Sequence, residues 1–190
     1  AKRGADVNEK AMVFDNMSEN SATGVCFSRD AATGENLFNG EYLVNAQGGD
    51  VVAGIRTPQQ ITHEGSRRWA AAQNVSEEDR KTKFPSLEEI MPQAYGELDA
   101  IQKNMEKYFK DMQDMEFTIQ DGKLWMLQTR SGKRTGAAMV KLAMGILSEK
   151  LIDEETAVLR REPAKIDQLL HPVFEKTARS TAKVHTTGHP

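Results

Sequence analysis

Four polar residues bracket one short turn: Asp114 and Glu116 lie before the Gln120-Asp121-Gly122 stretch, and Gln128 and Arg130 lie after it. A carboxylate and an amide oxygen held side by side are hard oxygen donors suited to Mg²⁺, which bridges nucleotide phosphates and keeps part of its shell as water. A guanidinium beside them neutralises charge on a transferring phosphoryl group. This chemistry requires all four side chains to project into one place. The alternative is a half-exposed hairpin whose polar face pairs its own charges, and spacing does not decide between the two.

Register bears on the question, because side chains alternate between faces along a strand. A two-residue Asp121-Gly122 turn with a regular ladder puts Glu116 on one face with Trp125 and Leu127, and Gln128 on the other. A three-residue Gln120-Asp121-Gly122 loop, with Gly122 left-handed in a G1 bulge, gathers Met115, Phe117, Ile119, Trp125 and Leu127 on one side. It leaves Asp114, Glu116, Gln128 and Arg130 together on the opposite side, with Leu124 and Met126. Burial of each large apolar side chain contributes about 1.5–3 kcal/mol. The three-residue loop is therefore the expected one.

The elements that must position these residues follow from pattern. Apolar runs punctuated by Asn, Gly, Ser and Asp at 11–15, 23–30, 36–47 and 51–58 read as strands. Residues 64–85 are charged and lack apolar periodicity, so a loop with one short helix is expected. Ser86 and Glu89 form a capping box. Behind them Leu87, Ile90, Met91, Ala94, Leu98, Ile101, Met105, Phe109 and Met112 recur at helical spacing, predicting one amphipathic helix of about 25 residues packed on the core. After the hairpin, helices are expected from Gly136 to about Lys150 and from Asp153 to Arg161, with Pro163 interrupting. Strands on both sides of a long helix indicate an α+β fold.

Bulk properties exclude several classes. A net charge of -3 over 190 residues, with no basic cluster longer than 130–134, argues against a nucleic-acid footprint. Nothing approaches the roughly 20 apolar residues that span a bilayer, and AKRGADVNEK lacks the core of a signal peptide. The single cysteine, Cys26, permits no internal disulfide and suits a reducing compartment, the cytoplasm being expected. It lies on an apolar strand and reads as packing. His63, His171, His185 and His189 lack metal-site spacing. Ser131-Gly132-Lys133-Arg134 lacks the glycine loop of a Walker A motif and reads as a solvated strand exit. Thr23 and Thr57 are further phosphate-binding candidates. Arg56, Arg67 and Arg68 read as surface charges.

Two long stretches, GEYLVNAQGGDVVAGIRTP (40–58) and DMQDMEFTIQDGKLWMLQTRSGKRTG (111–136), resemble the nucleotide-binding domain of pyruvate phosphate dikinase. MVFDNM (12–17), TGVCFSRDAATGE (23–35), DQLLHP (167–172) and, more weakly, TTGHP fit the same family in the same order. The resemblance implies the C-terminal subdomain of an ATP-grasp domain over 1–134, with the charged insertion at 64–85. A helical linker at 135–170 and a tail at 171–190 would lead toward a swivelling phospho-histidine domain. It implies a parent enzyme, a homodimer, that converts ATP, pyruvate and phosphate to AMP, phosphoenolpyruvate and pyrophosphate with Mg²⁺. By the same resemblance Glu116 and Gln128 serve the metal, Arg130 the polyphosphate, and Asp114 supports the site. Glu41 is a further acidic residue near the nucleotide. The N-terminal ATP-grasp subdomain, the phospho-histidine domain and the pyruvate barrel are absent from these 190 residues, so the chain reads as a piece of a longer protein, inactive alone. It departs from the family wording at Glu9-Lys10, Asp15, Ala22 and Gly49. Those departures keep two alternatives open, a noncatalytic nucleotide-binding or interaction module and a related phosphotransferase such as phosphoenolpyruvate synthase.

Overall fold

The computed structural model describes residues 12–14, 16–46 and 56–171. Its sheet is built from β1 (Ala22–Phe27), β2 (Asn39–Val44), β3 (Gln59–Gln60), β4 (Gln113–Gln120) and β5 (Lys123–Ser131). The strand order is β3-β2-β1-β4-β5, with every neighbouring pair antiparallel. Alternation then assigns the faces. Ala22 and Cys26, Tyr42, and Met115, Phe117 and Ile119 project into one buried apolar cluster, joined by Leu87, Ala94 and Leu98 from the helices that cover this side. At Gly24 a β-carbon would lie 2.6 Å from the Phe117 ring, so glycine is what lets that ring cross the central strand. The opposite face carries Glu41, Thr23, Val25, Asp114, Glu116, Thr118, Gln128 and Arg130. The architecture is thus α+β, with an open five-stranded antiparallel sheet.

Several sequence expectations need correction. Met12–Phe14 are not in a strand, and the expected strand at 36–47 narrows to β2. Residues 51–55 lie outside the described residues, and only β3 follows Pro58. The expected loop at 64–85 is instead two helices, α1 (His63–Ala72) and α2 (Glu77–Lys83), capped by the Thr62 and Ser76 hydroxyls. Apolar periodicity missed them because the side chain α2 buries is Arg80, held by Glu77, Glu89 and Ser66. The single 25-residue helix is also two: α3 (Leu87–Ile90) and α4 (Pro92–Phe109). Met91 sits at φ -134 and ψ 61, out of the helical region, as expected for a residue preceding proline. The predicted capping box does form, with the Glu89 carboxylate accepting from the Ser86 N–H and hydroxyl.

The buried face of α4 also differs from the expected stripe. Ala94, Leu98, Gln102 and Glu106 are buried, whereas Ile90 and Phe109 are exposed. After the sheet come α5 (Gly136–Ser148), α6 (Glu154–Leu159) and α7 (Pro163–Asp167), the first two close to the helices expected at 136–150 and 153–161. Ala138 and Leu142 of α5 pack on Met112, with Phe27 and Ala31 alongside. No described helix is long and apolar enough to cross a membrane.

Candidate functional site

The turn joining β4 to β5 is two residues, not three. Asp121 and Gly122 both have positive φ, 50° and 79°, the signature of a type I′ hairpin. Next to this turn Ile119 pairs with Leu124, Thr118 with Trp125, and Phe117 with Met126. Continued without interruption, that register would set Gln128 opposite Met115 and send it to the core face. A bulge intervenes instead. Leu127 is left unpaired, and beyond it Glu116 pairs with Gln128 and Asp114 with Arg130. The four polar residues therefore share a face, as the rejected two-residue geometry did not allow and the expected three-residue loop did. The other faces are exchanged: Leu124 and Met126 pack on the core, Trp125 stands with Thr118, and Leu127 is exposed.

Cross-strand pairing arranges this face in rows. One row runs Gln60, Glu41, Val25, Glu116, Gln128 across all five strands. Glu41 is thus two strands from Glu116, about 10 Å at ordinary strand spacing, with Val25 between them. Its carboxylate accepts from the Gln60 amide at 3.2 Å. Gln60 was not anticipated; cross-strand pairing alone reveals it. Two residues along, the next row sets Phe27 beside Asp114 and Asp114 beside Arg130.

Asp114 is 7% exposed, and its carboxylate accepts from Arg130 Nε at 2.7 Å. That bond, with Asp114's charge, raises the Arg130 pKa further above the ordinary guanidinium range. Only Nε is engaged among the described residues, and the side chain is 55% exposed. Glu116 is half-buried and makes no hydrogen bond among the described residues, and Gln128 is exposed beside it. One carboxylate and one amide oxygen do not make a protein cage, and no group of three His, Cys, Asp or Glu gathers among the described residues. The donor set instead fits Mg²⁺ of the kind held by one carboxylate together with substrate phosphates and water.

Other candidates resolve as structure. Burial pushes the Cys26 thiol far up, so it is no nucleophile at neutral pH. The buried Thr23 hydroxyl donates to the Phe117 carbonyl. Arg134 presents both terminal nitrogens to Asp111, at 2.7 and 2.9 Å, so its charge is already used; Lys133 stays exposed. Arg56 donates to the Val44 and Asn45 carbonyls, and Arg68 pairs with Glu64. His63 approaches Glu89 at 3.6 Å and His171 approaches Asp167 at 3.7 Å. Of the departures from the family wording, Glu9-Lys10, Asp15 and Gly49 lie outside the described residues, as do His185 and His189. Ala22 points into the core, away from the polar face.

A family model described as "Pyruvate phosphate dikinase, AMP/ATP-binding domain" matches residues 4–151. The pyruvate, phosphate dikinase of Rhizobium meliloti (strain 1021) is 53% identical over 176 residues, covering 93% of this chain and 18% of that protein. That of Clostridium symbiosum is 46% identical over 187 residues, 98% of this chain and 19% of that protein. The chloroplastic enzyme of Flaveria pringlei is 45% identical over 188 residues, 99% of this chain and 17% of that protein. The chain spans less than a fifth of the length of these relatives.

Proposed function

Because the chain belongs to the pyruvate phosphate dikinase AMP/ATP-binding domain family, we propose that it supplies one wall of an ATP site as the C-terminal subdomain of an ATP-grasp domain. The observation that carries this reading is the pair of adjacent rows on the open sheet face, Glu116 with Gln128 and Asp114 with Arg130. Strands rise about 3.4 Å per residue, so the rows stand about 7 Å apart and can contact neighbouring groups of one polyphosphate. Asp114 holds the Arg130 guanidinium by Nε and leaves its two terminal nitrogens to receive phosphate oxygens, a fork that lysine cannot reproduce. Glu116 and Gln128 offer the oxygens that would hold Mg²⁺, which when bound neutralises phosphate charge. Glu41, steadied by Gln60, faces the same side from β2.

In the parent enzyme this wall would act with an N-terminal subdomain across the nucleotide. ATP would pass its β,γ-pyrophosphoryl group to a histidine on a swivelling domain with release of AMP. Phosphate would take the outer phosphoryl group as pyrophosphate, and pyruvate bound in a barrel would receive the phosphoryl group left on the histidine. The overall conversion is of ATP, pyruvate and phosphate to AMP, phosphoenolpyruvate and pyrophosphate. Arg130 would stabilise charge on the transferring group, while the helices at 135–170 lead away from the sheet. The lone, buried Cys26 suits a reducing compartment such as the cytoplasm.

The test is the rate of AMP formation from ATP by the full-length enzyme carrying Glu116→Ala or Arg130→Ala. Both variants are expected to lose it, and near-normal rates in both would refute the assignment. The 190-residue chain alone is expected to bind Mg-ATP weakly, since half the site is missing, and micromolar affinity by calorimetry would contradict that.

A further inference from the structure

The row that carries Asp114 and Arg130 lies at the end of the sheet. β1 stops at Phe27, beside Asp114, and β5 stops at Ser131, one residue past Arg130. Ladder ends open locally at low free energy unless something closes them. Here Ser28 does so from both sides: its N–H donates to the Gln113 carbonyl, and its hydroxyl oxygen accepts from the Gln113 N–H, each at 3.0 Å. The same hydroxyl donates to Glu106 of α4 at 2.6 Å. The Gln113 side chain in turn accepts from the Thr129 hydroxyl, on the residue preceding Arg130.

Glu106 is held by Arg29, which is 1% exposed and donates from Nε and a terminal nitrogen at 2.7–3.0 Å. That terminal nitrogen also donates to Glu149, at the C-cap of α5, at 2.6 Å. Gly145 of α5 leaves room for the guanidinium, since a β-carbon there would lie 3.2 Å from it. Burial alone would lower the Arg29 pKa, but the bonds from Glu106 and Glu149 outweigh it and keep the charge in place.

We propose that Arg29 is a positioning residue for Arg130: with Glu106 and Ser28 it pins the end of the ladder that presents Arg130, and through Glu149 it makes that pin depend on the linker helix α5. A helix at the exit toward the rest of the polypeptide thereby shares a buried charge with the phosphate-facing edge of the sheet. The inference rests on the reading that Arg130 meets the polyphosphate, and it adds the means by which Arg130 is held and what can release it.

The experiment measures AMP formation from ATP in the full-length enzyme, with kcat scaled to correctly folded sites. Ser28→Ala, which cuts the link to Gln113, and Glu149→Gln, which weakens the link to α5, are each expected to lower kcat about 3- to 10-fold. KM for ATP should stay within about twofold, because Arg130 acts on developing charge. Ser28→Thr keeps the hydroxyl and is expected to restore the rate. A purely structural role would reduce the number of folded sites and leave kcat per site intact. Wild-type kcat per site in both Ser28→Ala and Glu149→Gln, with Arg130→Ala inactive, overturns this inference alone. An active Arg130→Ala overturns the site assignment and this inference with it.

Discussion

Arg29 and Arg130 both pair with a carboxylate, yet one is buried between two of them and the other is exposed with a single partner among the described residues. Arg29 is buried and shares its guanidinium between Glu106 and Glu149. Arg80 is similar, its side chain fully buried and all three nitrogens engaged by Glu77, Glu89 and Ser66. Arg130 gives one nitrogen to Asp114, and its other two have no partner among the described residues. Charge alone does not distinguish these residues; the number of donors already satisfied does.

The contrast can be broken by removing each side in turn. Arg29→Ala leaves Glu106 buried without its partner and is expected to destabilise the chain by about 3–5 kcal/mol, the range for breaking a buried pair. Thermal unfolding of the variant should then occur roughly 10 °C lower; an unchanged midpoint would place Arg29 among the dispensable charges. Arg130→Ala should do the reverse. Its exposed, solvent-screened pair should contribute little to stability. Loss of AMP formation in the full-length enzyme should instead reach at least about 100-fold, the size seen when a donor aimed at developing charge is removed.

A smaller effect should appear with acid. The Arg80 hydrogen bond, with help from Ser86, holds the Glu89 carboxyl well below the usual carboxylate range, against the opposing effect of burial. A depressed folded pKa stabilises above the unfolded value near 4.3 and is lost as pH falls below it. Helical circular dichroism is expected to decline between about pH 4 and pH 2 as the α1–α2 helices detach. Glu89→Gln should flatten that part of the titration, and a titration unaltered by the substitution would argue against it. The smallest effect concerns the hairpin itself. Gly122→Ala, at φ 79°, is expected to cost about 1 kcal/mol. Urea unfolding would show the lower midpoint, and no change would mean the turn tolerates a side chain.

The shared face of the candidate residues was legible before any coordinates. Asp114, Glu116, Gln128 and Arg130 lie where motif and alternation put them, on one face. The route to that face was not legible. Alternation counted from a turn presumes an unbroken ladder, and a single unpaired Leu127 restores by a bulge what the three-residue loop was expected to supply. The α1–α2 helices were missed for a related reason. The first buries only Ser66 and Ala70 and the second only the charged Arg80, which apolar periodicity has no way to register as core. Gln102 and Glu106 carried a signal in principle, being polar residues in step with Ala94 and Leu98 on one stripe of α4. Glu106's partner Arg29 lies 77 residues away in the chain, and local pattern does not join them.

Local chemistry determined the capping box at Ser86, the existence of the β4–β5 hairpin and the helices that follow it, because each depends on neighbours within a few residues. The motif wording carried the family in the same way. Which arginine would be saturated and which left open was decided only by the tertiary structure. That outcome depends on cross-strand register and on carboxylates from distant helices reaching one guanidinium. It is a matter of three-dimensional proximity, which sequence spacing does not encode.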